Sequence, residues 1–142
     1  MAKDIVQTIK DRSDLSTFWK AVDHSGVDSE LRGKGPYTVL APTNEAFESL
    51  DKKTLDQLMD KKNRSQLRDI VRGHIFRESM KAADFKRKKK ARPMYGNSVS
   101  YNQSGSKVQL GDATVERADV ECSNGVIHTI DNFVTEPKLR GK

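Results

Sequence analysis

The apolar residues of this chain change period partway along it, and that change restricts the fold more than any other feature. In the first half they recur at i, i+3, i+4 and i+7, the spacing that lines one face of a helix. Ile5, Val6 and Ile9 form one such set, and Leu15, Phe18, Trp19 and Val22 form another. Ser13 or Asp14 is placed to cap the second helix and Gly26 to end it. Thr43 is placed to cap a helix carrying Phe47 and Leu50, with Glu45 in its first turn. Thr54-Leu55-Asp56-Gln57 has capping-box spacing and turns Leu55, Leu58 and Met59 inward. Leu67, Ile70, Val71 and His74 repeat the helical period, and Gly73 stands at its end before Ile75-Phe76. Trp19 and the phenylalanines fall on these apolar faces and read as core. One strand interrupts the helices: Gly33-Lys34-Gly35-Pro36 breaks the chain ahead of Tyr37-Thr38-Val39-Leu40-Ala41, a β-branched, apolar run.

The second half reads in twos. Residues 94–101, 107–110, 113–115, 118–122 and 126–134 form short runs separated by Gly96-Asn97, Ser104-Gly105, Gly111-Asp112 and Asn124-Gly125. Val99 and Tyr101 alternate with polar neighbours, as do Val108 and Leu110, the period of a sheet with one buried face. Helices in one half and antiparallel strands in the other predict an α+β domain. At 142 residues without an internal repeat, the chain is expected to be one domain, 1–142, with its core over about 3–137.

Composition narrows the function classes. Mean hydropathy is −0.76, yet the apolar residues are grouped in periodic patches, which argues for folding. No stretch approaches the roughly 18 to 20 apolar residues of a membrane span, and Met1-Ala2-Lys3-Asp4 lacks the apolar centre of a signal peptide. The chain as it stands therefore reads as soluble and, with a lone Cys122, cannot form an internal disulfide. Net charge is +6. Residues 81–92 hold Lys81, Lys86, Arg87, Lys88, Lys89, Lys90 and Arg92 against Asp84 alone, so this segment carries the whole excess and the remainder is balanced.

Two segments carry a family signature. Gly35-Pro36-Tyr37-Thr38-Val39-Leu40-Ala41-Pro42-Thr43-Asn44-Glu45-Ala46-Phe47 resembles the first conserved box of fasciclin domains, and Asn124-Gly125-Val126-Ile127-His128-Thr129-Ile130-Asp131 resembles the second. The resemblance implies a twisted, antiparallel-rich sheet wedge packed against a group of helices. It further implies a non-catalytic binding or adhesion module, secreted, periplasmic or at the cell surface, that engages a protein or polysaccharide of a surface or matrix. Integrin binding in some animal members has been attributed to a Tyr-His neighbourhood. Here that position reads Gly73-His74, so integrin binding is not carried over, although His74 stays among the candidate contact residues.

The other candidates for partner contact are Lys86, Arg87, Lys88, Lys89, Lys90 and Arg92, whose charges would attract acidic polysaccharide, an anionic surface or nucleic acid. A polyanion-binding protein acting through 81–92 is therefore the alternative to adhesion through the family fold. Only Phe85 and Tyr95 flank the run as stacking partners, which speaks against nucleic acid. His24, His74 and His128 lack metal-ligand spacing, and His74 and His128 read as core histidines whose ring nitrogens serve backbone groups. No nucleophile elbow, P-loop or dinucleotide fingerprint is present, and Cys122 with His128 matches no recognised catalytic pair. The expectation is a monomeric non-enzyme with no cofactor and no metal.

Overall fold

A computed structural model describes residues 3–33, 35–48, 52–58, 60–94, 98–105, 107–111 and 113–132. The first apolar set forms α1 (Ile5–Asp11), capped by the Asp4 carboxylate, which accepts the Gln7 amide at 2.7 Å. The second forms α2 (Ser16–Ser25), which Gly26 closes at φ 81°. The expected cap at Ser13 or Asp14 is corrected: Ser13–Leu15 is a 3₁₀ turn, and the α2 amides are served from elsewhere. Asn44 Oδ1 accepts the Thr17 amide at 2.9 Å, and its Nδ2 donates to the Ser13 carbonyl at 2.9 Å. The free amides of a helix start need acceptors, and here a residue of the first box reaches across to supply one. Trp19 is half-buried at the edge of the core, with Lys10 Nζ 5.4 Å from its ring centroid.

Further helices are α3 (Asp28–Leu31), α4 (Asn44–Glu48), α5 (Lys52–Leu58) and α6 (Arg64–Arg72). Thr43 precedes α4 and its carbonyl accepts the Ala46 and Phe47 amides, but its buried Oγ1 has no partner among the described residues, so its hydroxyl is not the expected cap. α5 begins at Lys52, which puts Thr54 inside the helix instead of at its cap. Leu50, Met59 and the side chains of Leu55 and Leu58 lie outside the described residues.

The strands are β1 (Tyr37–Pro42), β2 (Ile75–Phe76), β3 (Lys90–Ala91), β4 (Val99–Ser104), β5 (Lys107–Leu110), β6 (Ala113–Cys122) and β7 (Gly125–Ile130). Their order is β2-β1-β7-β6-β5-β4-β3. All neighbours are antiparallel except β1 and β7, which run parallel in register from Tyr37↔Gly125 to Pro42↔Ile130. The strand expected at Tyr37–Ala41 is β1, and with β2 it completes the sheet built by the strands of the second half. Just past β3, the Met94 amide donates to the Ile75 carbonyl at 2.8 Å, so the two ends of the order approach each other and the sheet nearly closes.

Three strand expectations also change. The runs 113–115 and 118–122 are one ten-residue strand with register shifts between Val115 and Val120 and Asp119 at φ 58°. Such irregularities bend a strand and re-aim its side chains. The last run ends at Ile130; its remainder from residue 133, like Gly96-Asn97, lies outside the described residues. Cys122 pairs with Gly125, so the hairpin loop is Ser123-Asn124 and Gly125 is already in the strand.

Both faces of β1 and β7 are buried, against different layers. Val39, Ala41 and Ile127 join Ile5, Ile9, Phe18, Val22, Leu67 and Val71 in the core between sheet and helices. Leu40 and Ile130 join Phe76, Met80, Phe85, Val99, Leu110 and Ala113 in a second core inside the curved sheet. That explains why the boxes read as continuous apolar runs instead of alternating ones.

Candidate functional site

The basic segment is ordered structure and not a loop. Ala82–Lys88 forms helix α7, whose start is closed by the Asp84 carboxylate accepting the Lys81 amide at 3.0 Å. Lys86, Arg87 and Lys88 occupy its last turn, where cations complement the negative end of the helix dipole. Lys89 takes the left-handed conformation at φ 66° and turns the chain into β3. Its amide closes the helix on the Phe85 carbonyl, and its own carbonyl accepts the Tyr101 amide at 2.7 Å. Phe85, 1% exposed, plugs the second core and packs edge-on against Phe76 and His128.

Polar contacts from the two family boxes hold this segment in place. Thr38 of β1 accepts the Met80 amide at 2.7 Å and donates to the Glu78 carbonyl. His128 of β7 donates from Nε2 to the Met80 carbonyl at 2.7 Å and accepts the Asp119 amide on Nδ1 at 3.0 Å. Asp119 in turn accepts the Ala82 amide, the first of α7, at 2.8 Å. Sequence reasoning missed this chain, because it runs through a strand irregularity that no residue pattern announces.

Lys86, Arg87, Lys88, Lys89, Lys90 and Arg92 are all exposed. Arg87 pairs with Asp84 at 3.4 Å and Lys88 with Glu78, while Lys86, Lys89, Lys90 and Arg92 have no carboxylate partner among the described residues. Exposed ion pairs contribute little, so even the paired cations remain available to a stronger anion. Carboxylates gather around β6: Glu116 is held above the ordinary range by its own desolvation and then by the charges of Glu45, Asp131 and Asp14.

His74 does not join the basic surface. It is 2% exposed, its ring lies against α2, α4 and α6, and Nδ1 donates to the Ile70 carbonyl at 2.9 Å. A side chain so enclosed cannot meet a partner in the folded protein, so its place among the contact residues is corrected, while the reading of His74 and His128 as core histidines agrees with the geometry. Burial pushes the His74 pKa down to about 4 against the opposing hydrogen bond to Ile70, and burial also lowers that of His128. Above the unfolded value of 6.5 both states of His74 are neutral and its contribution to stability is complete. As pH falls from 6.5 towards 4 only the unfolded chain takes the proton, and about 3 kcal/mol of stability is lost. The expected result is a urea midpoint that falls steadily between pH 7 and pH 4.5, with the slope reduced in His74→Gln. Cys122 is half-buried beside Thr8, and burial raises its thiol pKa, which keeps it a weak nucleophile.

Helices backing a mixed, nearly closed sheet, with conserved-type boxes spent on packing and charge displayed on one edge, define an α+β domain of the fasciclin type. The chain belongs to the fasciclin domain family, whose description matches residues 13–136. It is 34% identical over 136 residues to protein sll1483 of Synechocystis sp., covering 96% of this chain and 75% of that protein. It is 32% identical over 135 residues to transforming growth factor-beta-induced protein ig-h3 of Sus scrofa, covering 94% of this chain but a fifth (20%) of that protein. Among solved structures, a FAS1 domain pair from the insect cell adhesion molecule Fasciclin I matches with a TM-score of 0.82 at 18% identity, over 94% of this chain and 51% of that chain. No helix among the described residues is long and apolar enough to cross a membrane.

Proposed function

We propose that this chain is a single fasciclin domain acting as a non-catalytic binding module at a cell surface or in an extracellular matrix, and that α7 and β3 present its contact surface. The observation that carries the reading is the exposed set Lys86, Lys89, Lys90 and Arg92, without carboxylate partners among the described residues and mounted on a segment tied to both family boxes. A rigidly held charged surface loses less conformational entropy on binding than a loose one. The strands of the two boxes, β1 and β7, are almost wholly buried and present no comparable set of cations. Likeness to an insect cell adhesion molecule supports the module's general role.

The reading is tested by retention on heparin and on anionic vesicles across a salt series. Each cation near an anionic surface contributes about 1 kcal/mol, so Lys86→Gln/Lys89→Gln/Lys90→Gln is expected to bind about a hundredfold more weakly. Wild-type protein that is not retained, or a triple variant that elutes at the wild-type salt concentration, would refute it.

A further inference from the structure

Between Asp84 and Asp112 the chain contains no acidic residue, while it holds Lys86, Arg87, Lys88, Lys89, Lys90, Arg92 and Lys107. The fold spreads this stretch over three adjacent strands. Lys90 of β3 pairs with Ser100 of β4, and Asn102 of β4 pairs with Gln109 of β5. Residues directly opposite each other in a sheet share a face. The intervening Val99 and Leu110 are buried in the second core and Ala91 and Tyr101 pack against it, so Lys90, Ser100, Asn102, Lys107 and Gln109 point the other way, the first four exposed and Gln109 half-buried. The Lys107 position lies opposite residue 104, so the Lys90 and Lys107 positions are separated by four residues along β4, about 14 Å.

We infer that the outer face of β3, β4 and β5 is a binding site for an acidic polysaccharide, with Lys90, Arg92 and Lys107 meeting its anionic groups and Ser100, Asn102 and Gln109 meeting its hydroxyls. This rests on the reading that α7 and β3 form a contact surface, and extends it to uncharged residues outside the basic run. Two cations set apart by hydroxyl and amide groups suit an extended polymer bearing anions at intervals, where a small anion would need them convergent. The described residues offer little for nucleic acid: Phe85 is buried, and Tyr101 faces inward with its hydroxyl donated to Gln103 Oε1 at 2.8 Å. Base stacking requires exposed rings. A membrane-surface site would set apolar or aromatic side chains beside its cations, and the outward positions here are polar.

The test uses the full chain with heparin for sulfate, polygalacturonate for carboxylate, phosphatidylserine vesicles for a lipid surface and single-stranded DNA. Ser100→Ala/Gln109→Ala leaves the charge unchanged. Loss of two hydrogen bonds is expected to weaken binding to at least one polysaccharide about tenfold without changing retention on vesicles or DNA. Lys107→Gln, outside the basic run, is expected to weaken the same polysaccharide about threefold to fivefold. Which polysaccharide responds identifies the anion. Should Ser100→Ala/Gln109→Ala bind both polysaccharides as wild type does, or weaken all four probes alike, this inference is overturned while the wider reading stands. Wild-type protein that retains none of the probes overturns both.

Discussion

Replacing Gly125 by alanine is expected to cost the domain on the order of 4 kcal/mol, enough to abolish folding in a marginally stable chain. A Cβ at this position would lie 1.9 Å from the Tyr37 carbonyl oxygen and 2.8 Å from Ile5 Cδ1. The clash is with backbone, so no rotamer change relieves it, and β7 would have to move away from β1. Those two strands form the parallel pair of the sheet, and Ile127 and Ile130 on β7 each belong to a different core. The residue is therefore required by close approach, not by turn geometry. Gly105→Ala is the control: it has nothing within 4 Å and loses only the cost of a left-handed residue at φ 62°, about 1 kcal/mol. Urea unfolding of both variants measures the difference, and equal midpoints would contradict the packing argument.

Asn124→Asp is expected to destabilise by about 3 to 5 kcal/mol at neutral pH, despite near-identical shape. The Asn124 side chain joins three parts of the chain distant in sequence. Oδ1 accepts the Ile5 amide at 2.9 Å, at the start of α1, and Nδ2 donates to the carbonyls of Leu31 at 2.8 Å and Gly33 at 2.9 Å. Its backbone carbonyl accepts the Tyr37 amide at the start of β1. An aspartate keeps the acceptor but sets a buried carboxylate oxygen against two carbonyl oxygens. Chemical denaturation at pH 7 and pH 4 checks this: the deficit is expected to shrink at the lower pH, where a protonated carboxyl again donates. Equal stability of Asn124→Asp and wild type at pH 7 would show that the buried amide is not the tie described.

Much of the architecture was legible because it is local. The helical spacing of Ile5 to Ile9 and of Phe18 to Val22 places buried residues correctly, and Gly26 ends its helix as its freedom at positive φ allows. The alternation at Val99, Tyr101, Val108 and Leu110 marks the inner face of the β4–β5 hairpin. The caps were less legible: Ser13, Asp14 and Thr43 carry the right chemistry for helix starts, but α2 takes its cap from Asn44 on a different element. A hydrogen-bond donor is indifferent to the sequence position of its acceptor, so local pattern cannot choose between them.

The candidate surface divides in the same way. A run of cations is visible in any linear reading, and so is its concentration in residues 81–92. That the run begins on a helix, turns at Lys89 and ends on an edge strand beside Ser100 depends on contacts of Phe85, Thr38 and His128 with distant parts of the chain. Sequence by itself determined the α+β class, the family boxes and the place of the charge, because each is written in the spacing and type of neighbouring residues. Tertiary structure decided that β1 lies parallel to β7, that His74 is enclosed while the lysines are exposed, and that uncharged residues of β4 and β5 flank Lys90. These follow from closing the sheet over two cores, which brings together groups that chain order keeps apart.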